Sequence, residues 1–114
     1  MQLKSEVWVH AFLRSSAGAG GMPVVVHHGD NDAGAIYIKL FEPPNLADVF
    51  GPAPMGLSDT LQDRVFVRQL GAELVPEADA DAFLSQQLEF DRDLWIVEVQ
   101  RKPGLIALEP WMVN

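Results

Sequence analysis

Leu94-Trp95-Ile96-Val97-Glu98-Val99-Gln100 is the clearest strand in the sequence, a run of aromatic and β-branched residues suited to a pleated, buried surface. After it, Pro103-Gly104 fits the central pair of a type II turn, which predicts that Leu105 to Leu108 returns as a last strand. Before it, Asp91-Arg92-Asp93 closes a helix-to-strand turn. The helix is announced by Pro76 at a first helical position, with Glu77 and Asp79 in the first turn. Its apolar stripe of Ala80, Phe83, Leu84 and Leu88 has the 3.6-residue period of a helix lying on a sheet.

Further out, Ser5 to Ala17 reads as a helix, with Ser5 as N-cap and Gly18, Gly20 and Gly21 ending it. Met22 to His28 is a strand built on three valines, and Gly29 to Gly34 is turn chemistry throughout. Ala35 to Phe41 is a second strand, with Ile36, Ile38 and Leu40 on one face and Tyr37, Lys39 and Phe41 on the other. The two are expected to form an antiparallel hairpin. Glu42-Pro43-Pro44-Asn45 turns the chain into a third strand, Leu46 to Phe50, followed by the loop Gly51-Pro52-Ala53-Pro54. Ser58 to Arg64 is read as a helical turn and Arg64 to Leu70 as a fourth strand. The pattern predicts an α+β fold: a mainly antiparallel sheet of about five to six strands with two helices packed on one face.

The chain has 114 residues, 12.6 kDa and no break in composition, so residues 1–114 are read as a single globular domain. Area scaling gives a folded surface near ~6,200 Å² against ~18,000 Å² extended, enough burial for a core without staples. With 48% hydrophobic residues and a mean hydropathy of +0.06, disorder is excluded. A formal charge of −8 without a local basic patch argues against nucleic acid and membrane surfaces as partners. Zero cysteines remove disulfides, zinc–thiolate sites and thiol nucleophiles together, and suit a reducing compartment. The apolar run Val7 to Leu13 contains His10 and is too short for a signal peptide, so a cytoplasmic location is expected.

His27-His28-Gly29-Asp30-Asn31-Asp32 is the densest group of ligand-capable side chains. Asp30, Asp32 and His28 are the candidate ligands for a divalent cation or small molecule, since carboxylate oxygens suit hard cations and imidazole admits softer ones. The competing interpretation is a hairpin turn in which Asp and Asn bond their own backbone. Glu6, His10 and Arg14 fall at i, i+4 and i+8, a polar stripe that can hold a proton-transfer histidine or simply face solvent. Between Glu73 and Glu98 there are eight acidic residues and one basic, Arg92. Glu77, Asp79, Asp81 and Glu89 on the second helix are therefore a candidate acidic interaction face. No Gly-x-Ser-x-Gly is present, no residue is assigned a catalytic role and no bound cofactor is implied.

Lys4-Ser5-Glu6-Val7-Trp8-Val9 with Leu13-Arg14, then Gly29-Asp30-x-Asp32-Ala33-Gly34, Gly51-Pro52-Ala53-Pro54 and Phe90-Asp91-x-Asp93-Leu94-Trp95-Ile96-Val97-Glu98 together resemble a family of short, mainly alphaproteobacterial proteins known as a domain of unknown function. The resemblance spans roughly Leu3 to Gln100. The pair before Gly29 is more often arginine in that family than His27-His28, and a second arginine often follows Arg14, where this chain has Ser15. The resemblance implies a bacterial, cytoplasmic protein and supplies no catalytic residue. The leading expectation is a small interaction module without enzymatic activity, with protein as its partner. Edge strands and the apolar Trp111 and Met112 offer a surface for a homodimer. The alternative is a metal- or ligand-dependent enzyme centred on Gly29 to Gly34, with Glu6, His10 or Asp91 converging on Asp30 and Asp32.

Overall fold

A computed structural model describes residues 3–54 and 64–112. In chain order the elements are α1 (Ser5–Gly18), β1 (Val24–His27), β2 (Ile36–Glu42), β3 (Leu46–Pro52), β4 (Phe66–Arg68), β5 (Val75–Pro76), α2 (Glu77–Phe90), β6 (Trp95–Gln100) and α3 (Arg101–Leu108). A short 3₁₀ turn, Glu109–Trp111, follows. The strands form one sheet in the order β1-β6-β2-β3-β4, with β5 also beside β3. Every pairing is antiparallel except β2 with β6. The α+β architecture with a mainly antiparallel sheet is the expected one. The expected helical turn at Ser58 to Arg64 lies, but for Arg64, outside the described residues.

The alternation of β2 divides the core. Ile36, Ile38 and Leu40 join Trp95, Val97 and Val99 of β6 under Trp8, Val9 and Phe12 of α1 and Leu108 of α3. Trp8 anchors this side: it stacks on Phe12 at 5.2 Å and meets Phe66 at 5.0 Å and the edge of Trp111 at 5.7 Å. On the opposite face Ala80 and Leu84 of α2, flanked by Phe83 and Leu88, pack on Ala47, Val49, Leu94 and Ile96. Two helices, α1 and α3, thus share one face, and α2 covers the other. The second helix is the one that changes sides from the expected arrangement, because its stripe matches the face of β3 that carries Ala47 and Val49.

Three expectations are corrected. β1 and β2 run antiparallel but do not pair, because β6 is inserted between them: Val25 faces Val97 on one side, and Ile38 faces Val97 on the other. The most apolar strand takes the position where both edges and both faces are covered. The segment Arg101–Leu108 is a helix, not a turn and strand. Pro103 falls in its first turn, where the missing N–H has no intrahelical partner to lose. Gly104 lets that turn sit on the sheet, since a Cβ there would collide with the Val99 side chain. Finally, Ser5 lies inside α1 and does not cap it. The free N–H groups of Ser5 and Glu6 donate to the carbonyls of Asp32 and Asn31, at 3.2 and 3.0 Å, and Ser5 Oγ donates to Gly34 O at 2.7 Å. The Gly29–Gly34 loop is therefore the cap of the first helix.

No helix among the described residues is long and apolar enough to cross a membrane.

Candidate functional site

The candidate ligands in the loop are engaged locally. Asp30 Oδ2 accepts from the backbone N–H of Asp32 (3.1 Å) and Ala33 (2.9 Å), the side-chain-to-backbone turn expected of aspartate here. Asp32 pairs with Lys4 at 3.6 Å, both exposed. The His28 ring lies 4.0 Å from that of Trp95, whose Nε1–H donates to the Asp30 carbonyl at 2.8 Å. His27 Nδ1 is 2.8 Å from the Leu94 carbonyl, to which it donates. Asp30 N donates to Asp93 O, and Gly29 passes so close to Asp93 and Leu94 that a side chain there would meet backbone. Asp91 Oδ1 accepts from Asp93 N. Among the described residues no group of three or more His, Asp or Glu side chains is gathered as ligands for a metal ion.

Glu6, His10 and Arg14 do line α1, with His10 and Arg14 exposed and Glu6 half-buried. Among the described residues no hydrogen bond or ion pair links the three.

The acidic helix face divides in two. Glu77 and Asp81, one turn apart at the start of α2, reach down to the sheet, while Asp79 and Glu89 stay exposed. Lys39 Nζ donates to Glu77 Oε2 and Asp81 Oδ1, each at 2.7 Å, and lies 3.0 Å from Glu98 Oε1 on β6. The Lys39 side chain is 4% exposed. Burial alone would depress the ammonium, but its hydrogen bonds to Asp81, Glu77 and Glu98 outweigh that and hold its pKa above the ordinary lysine value. Sequence reasoning missed this cluster. Its signal was a single lysine on an otherwise aromatic strand face, opposite an i, i+4 acid pair. Nearby, burial and then the charge of Asp91 raise the Tyr37 phenol. A further pair, buried Asp48 with exposed Arg68 at 2.5 Å, ties β3 to β4 on the opposite face.

These polar groups hold elements together. The outer edge of β1 is built differently. α1 and α3 cover β2 and β6, and α2 covers β3 and β5, so β1 projects past both helical layers. Met22, Val24, Val25 and Val26 are 69%, 56%, 37% and 57% exposed, although valine in a strand usually has one covered face. A register irregularity between Val25 and His27 opens the strand further. No described strand pairs with this outer edge. At the other end of the sheet, β4 is bridged by Met112 at Phe66. Trp111 and Met112, expected as free apolar surface, are half-buried against the core.

The chain from residue 3 to 109 matches the family model DUF1491, protein of unknown function. Three solved structures are similar over nearly its whole length. A crystal structure of a DUF1491 family protein from Caulobacter crescentus CB15 has 25% identity and a TM-score of 0.78, and each chain is covered in full. An NMR structure of a DUF1491 family protein from the same bacterium has 26% identity and a TM-score of 0.80, covering 100% of this chain and 99% of that one. The solution structure of protein Atu0922 from A. tumefaciens has 33% identity and a TM-score of 0.75, covering 90% of this chain and 88% of that one. No curated protein matches.

Proposed function

Because the chain belongs to the DUF1491 family, a family of proteins of unknown function, we propose its role from its own geometry: a protein-interaction module whose binding element is the open edge of β1. The observation that carries this reading is the exposure of three consecutive valines on an edge strand whose outer side pairs with no described strand. An edge of this kind presents unused N–H and C=O groups beside bare apolar side chains. Folded proteins blunt such edges with lysine, proline or a covering segment, and β1 has only Pro23 before it and His27 at its end. Strand addition supplies the main-chain bonds, and the valines supply contact area.

The titratable groups support binding over catalysis. Asp30, Asp32, Glu77 and Asp81 each hold a structural partner. Of the candidate acids on α2, Asp79 and Glu89 are exposed to solvent.

The test is a photo-reactive benzophenone residue placed at Val26, or at Ser85 on the exposed side of α2 as control, in the full chain expressed in an alphaproteobacterium. A discrete protein adduct at position 26 and none at position 85 is expected. No adduct at 26, or the same adducts at both sites, overturns the reading.

A further inference from the structure

Resting on that reading, we infer that the occupant of the β1 edge is a second copy of this chain, paired antiparallel, β1 to β1, across a two-fold axis. The argument comes from the charges at the two ends of the edge.

β6 joins α2 to α3, so the C-terminus of α2 and the N-terminus of α3 lie at opposite ends of β6, and hence of β1 beside it. Each helix end carries charge of the sign its own dipole disfavours. The first turn of α3 holds Arg101 and Lys102 and no acid, where the free N–H groups already make the potential positive. Arg101 is offset by Glu42 at 3.5 Å, and Lys102 is exposed without a partner among the described residues. The last turn of α2 has no base, and Asp91 and Asp93 follow it with Arg92 between them, where the free carbonyls make the potential negative. Asp30, hydrogen-bonded to the Asp93 carbonyl through its N–H, adds to that end.

The positive end adjoins the start of β1: Gln100 N donates to Gly21 O at 2.8 Å. The negative end adjoins its finish, where His27 meets Leu94. Antiparallel self-pairing sets the start of one β1 against the finish of the other. It brings the Lys102 end of each copy to the Asp93 end of its partner, twice over. An isologous contact needs such a surface, complementary to itself under a two-fold rotation. A strand of four residues spans only about 13 Å. The contact is therefore small by the standard of stable dimers, roughly 1,200 Å² or more, and its affinity is modest and salt-sensitive.

The experiment uses the full chain, with mass followed by sedimentation as protein concentration rises. Wild type is expected to move from 12.6 kDa toward twice that mass, with weaker association at high salt. Lys102→Asp alone and Asp93→Lys alone each set like charges against like at both ends and should weaken association several-fold. An equimolar mixture of the two single variants restores opposite charges at both ends and should associate at least as well as wild type. Both substitutions are at exposed positions, and unchanged circular dichroism shows that the variants fold. Val24→Lys should abolish association outright. A wild type that stays at monomer mass, single variants that associate unchanged, or a mixture that does not recover would each overturn self-pairing. With monomeric wild type, a cross-link from Val26 to a different protein would leave the edge reading standing, whereas no cross-link would remove both.

Discussion

Lys39 gathers one positive charge against three carboxylates drawn from two elements, Glu77 and Asp81 on α2 and Glu98 on β6. Removing the cation leaves three partly exposed acids facing one another. Lys39→Met is expected to cost about 1–3 kcal/mol in urea unfolding at pH 7. The pH dependence has a definite sign. The folded-state pKa of Lys39 lies above its unfolded value, so its contribution is complete below about pH 10.4 and is lost as pH rises through the higher folded value. Tyr37, also raised, acts in the same direction. Stability measured from pH 8 to 11.5 should fall steeply above pH 10 in wild type. The Lys39→Met chain should keep only the shallower loss due to Tyr37, and an equally steep fall there would rule out the lysine as its source. A strand alternation places Lys39 on the Tyr37–Phe41 face, and helical periodicity places Glu77 above Asp81. What the sequence withholds is that these faces meet, since residues 39 and 77 come together only through packing.

Elements whose side-chain period is complete were legible. The stripe of α2 holds its buried Ala80 and Leu84, and the alternation of β2 groups the buried Ile36, Ile38 and Leu40, although the buried Lys39 falls on the other face. Short elements were not, because local chemistry alone does not separate their alternatives. Pro103-Gly104 suits a turn as well as the first turn of a helix, and only contact with Val99 decides it. This gives a direct check: Gly104→Ala raises helix propensity but drives a methyl into Val99 and Leu40, so destabilisation of about 1–3 kcal/mol is expected in thermal or urea unfolding. Were propensity alone in control, the substitution would stabilise. On the same helix Ile106, well exposed, should tolerate Glu within about 0.5 kcal/mol, while Leu108→Ala should cost about 2–5 kcal/mol. The turn character of Gly29 to Gly34 was also legible, and its work as the cap of α1 was not. Nothing local records which helix lacks partners for its first N–H groups.

At the scale of the whole molecule, the sheet has a graded interior. β6 and β2 are central, flanked on both edges and covered on both faces, and β1 hangs at the margin. Hydrogen exchange in dilute protein should find the slowest amides in β2 and β6, approaching global unfolding, and markedly faster ones in β1. Uniform protection across the three strands would contradict this grading. The candidate edge was half legible for the same reason: Val24 to Val26 announce a strand, but its place at the margin follows from strand order. That order rests on pairings distant in sequence.

The insertion of β6 also sets a timetable for biosynthesis. His27 and Leu94, bonded across the β1–β6 pair, are 67 residues apart. At about 5–20 residues per second, a ribosome needs roughly 3–13 s to cover that interval. For most of it, once Ile36–Glu42 has been made, nascent β1 and β2 lack the strand that lies between them. The sheet is therefore completed late, when β6 slots between two strands made well before it.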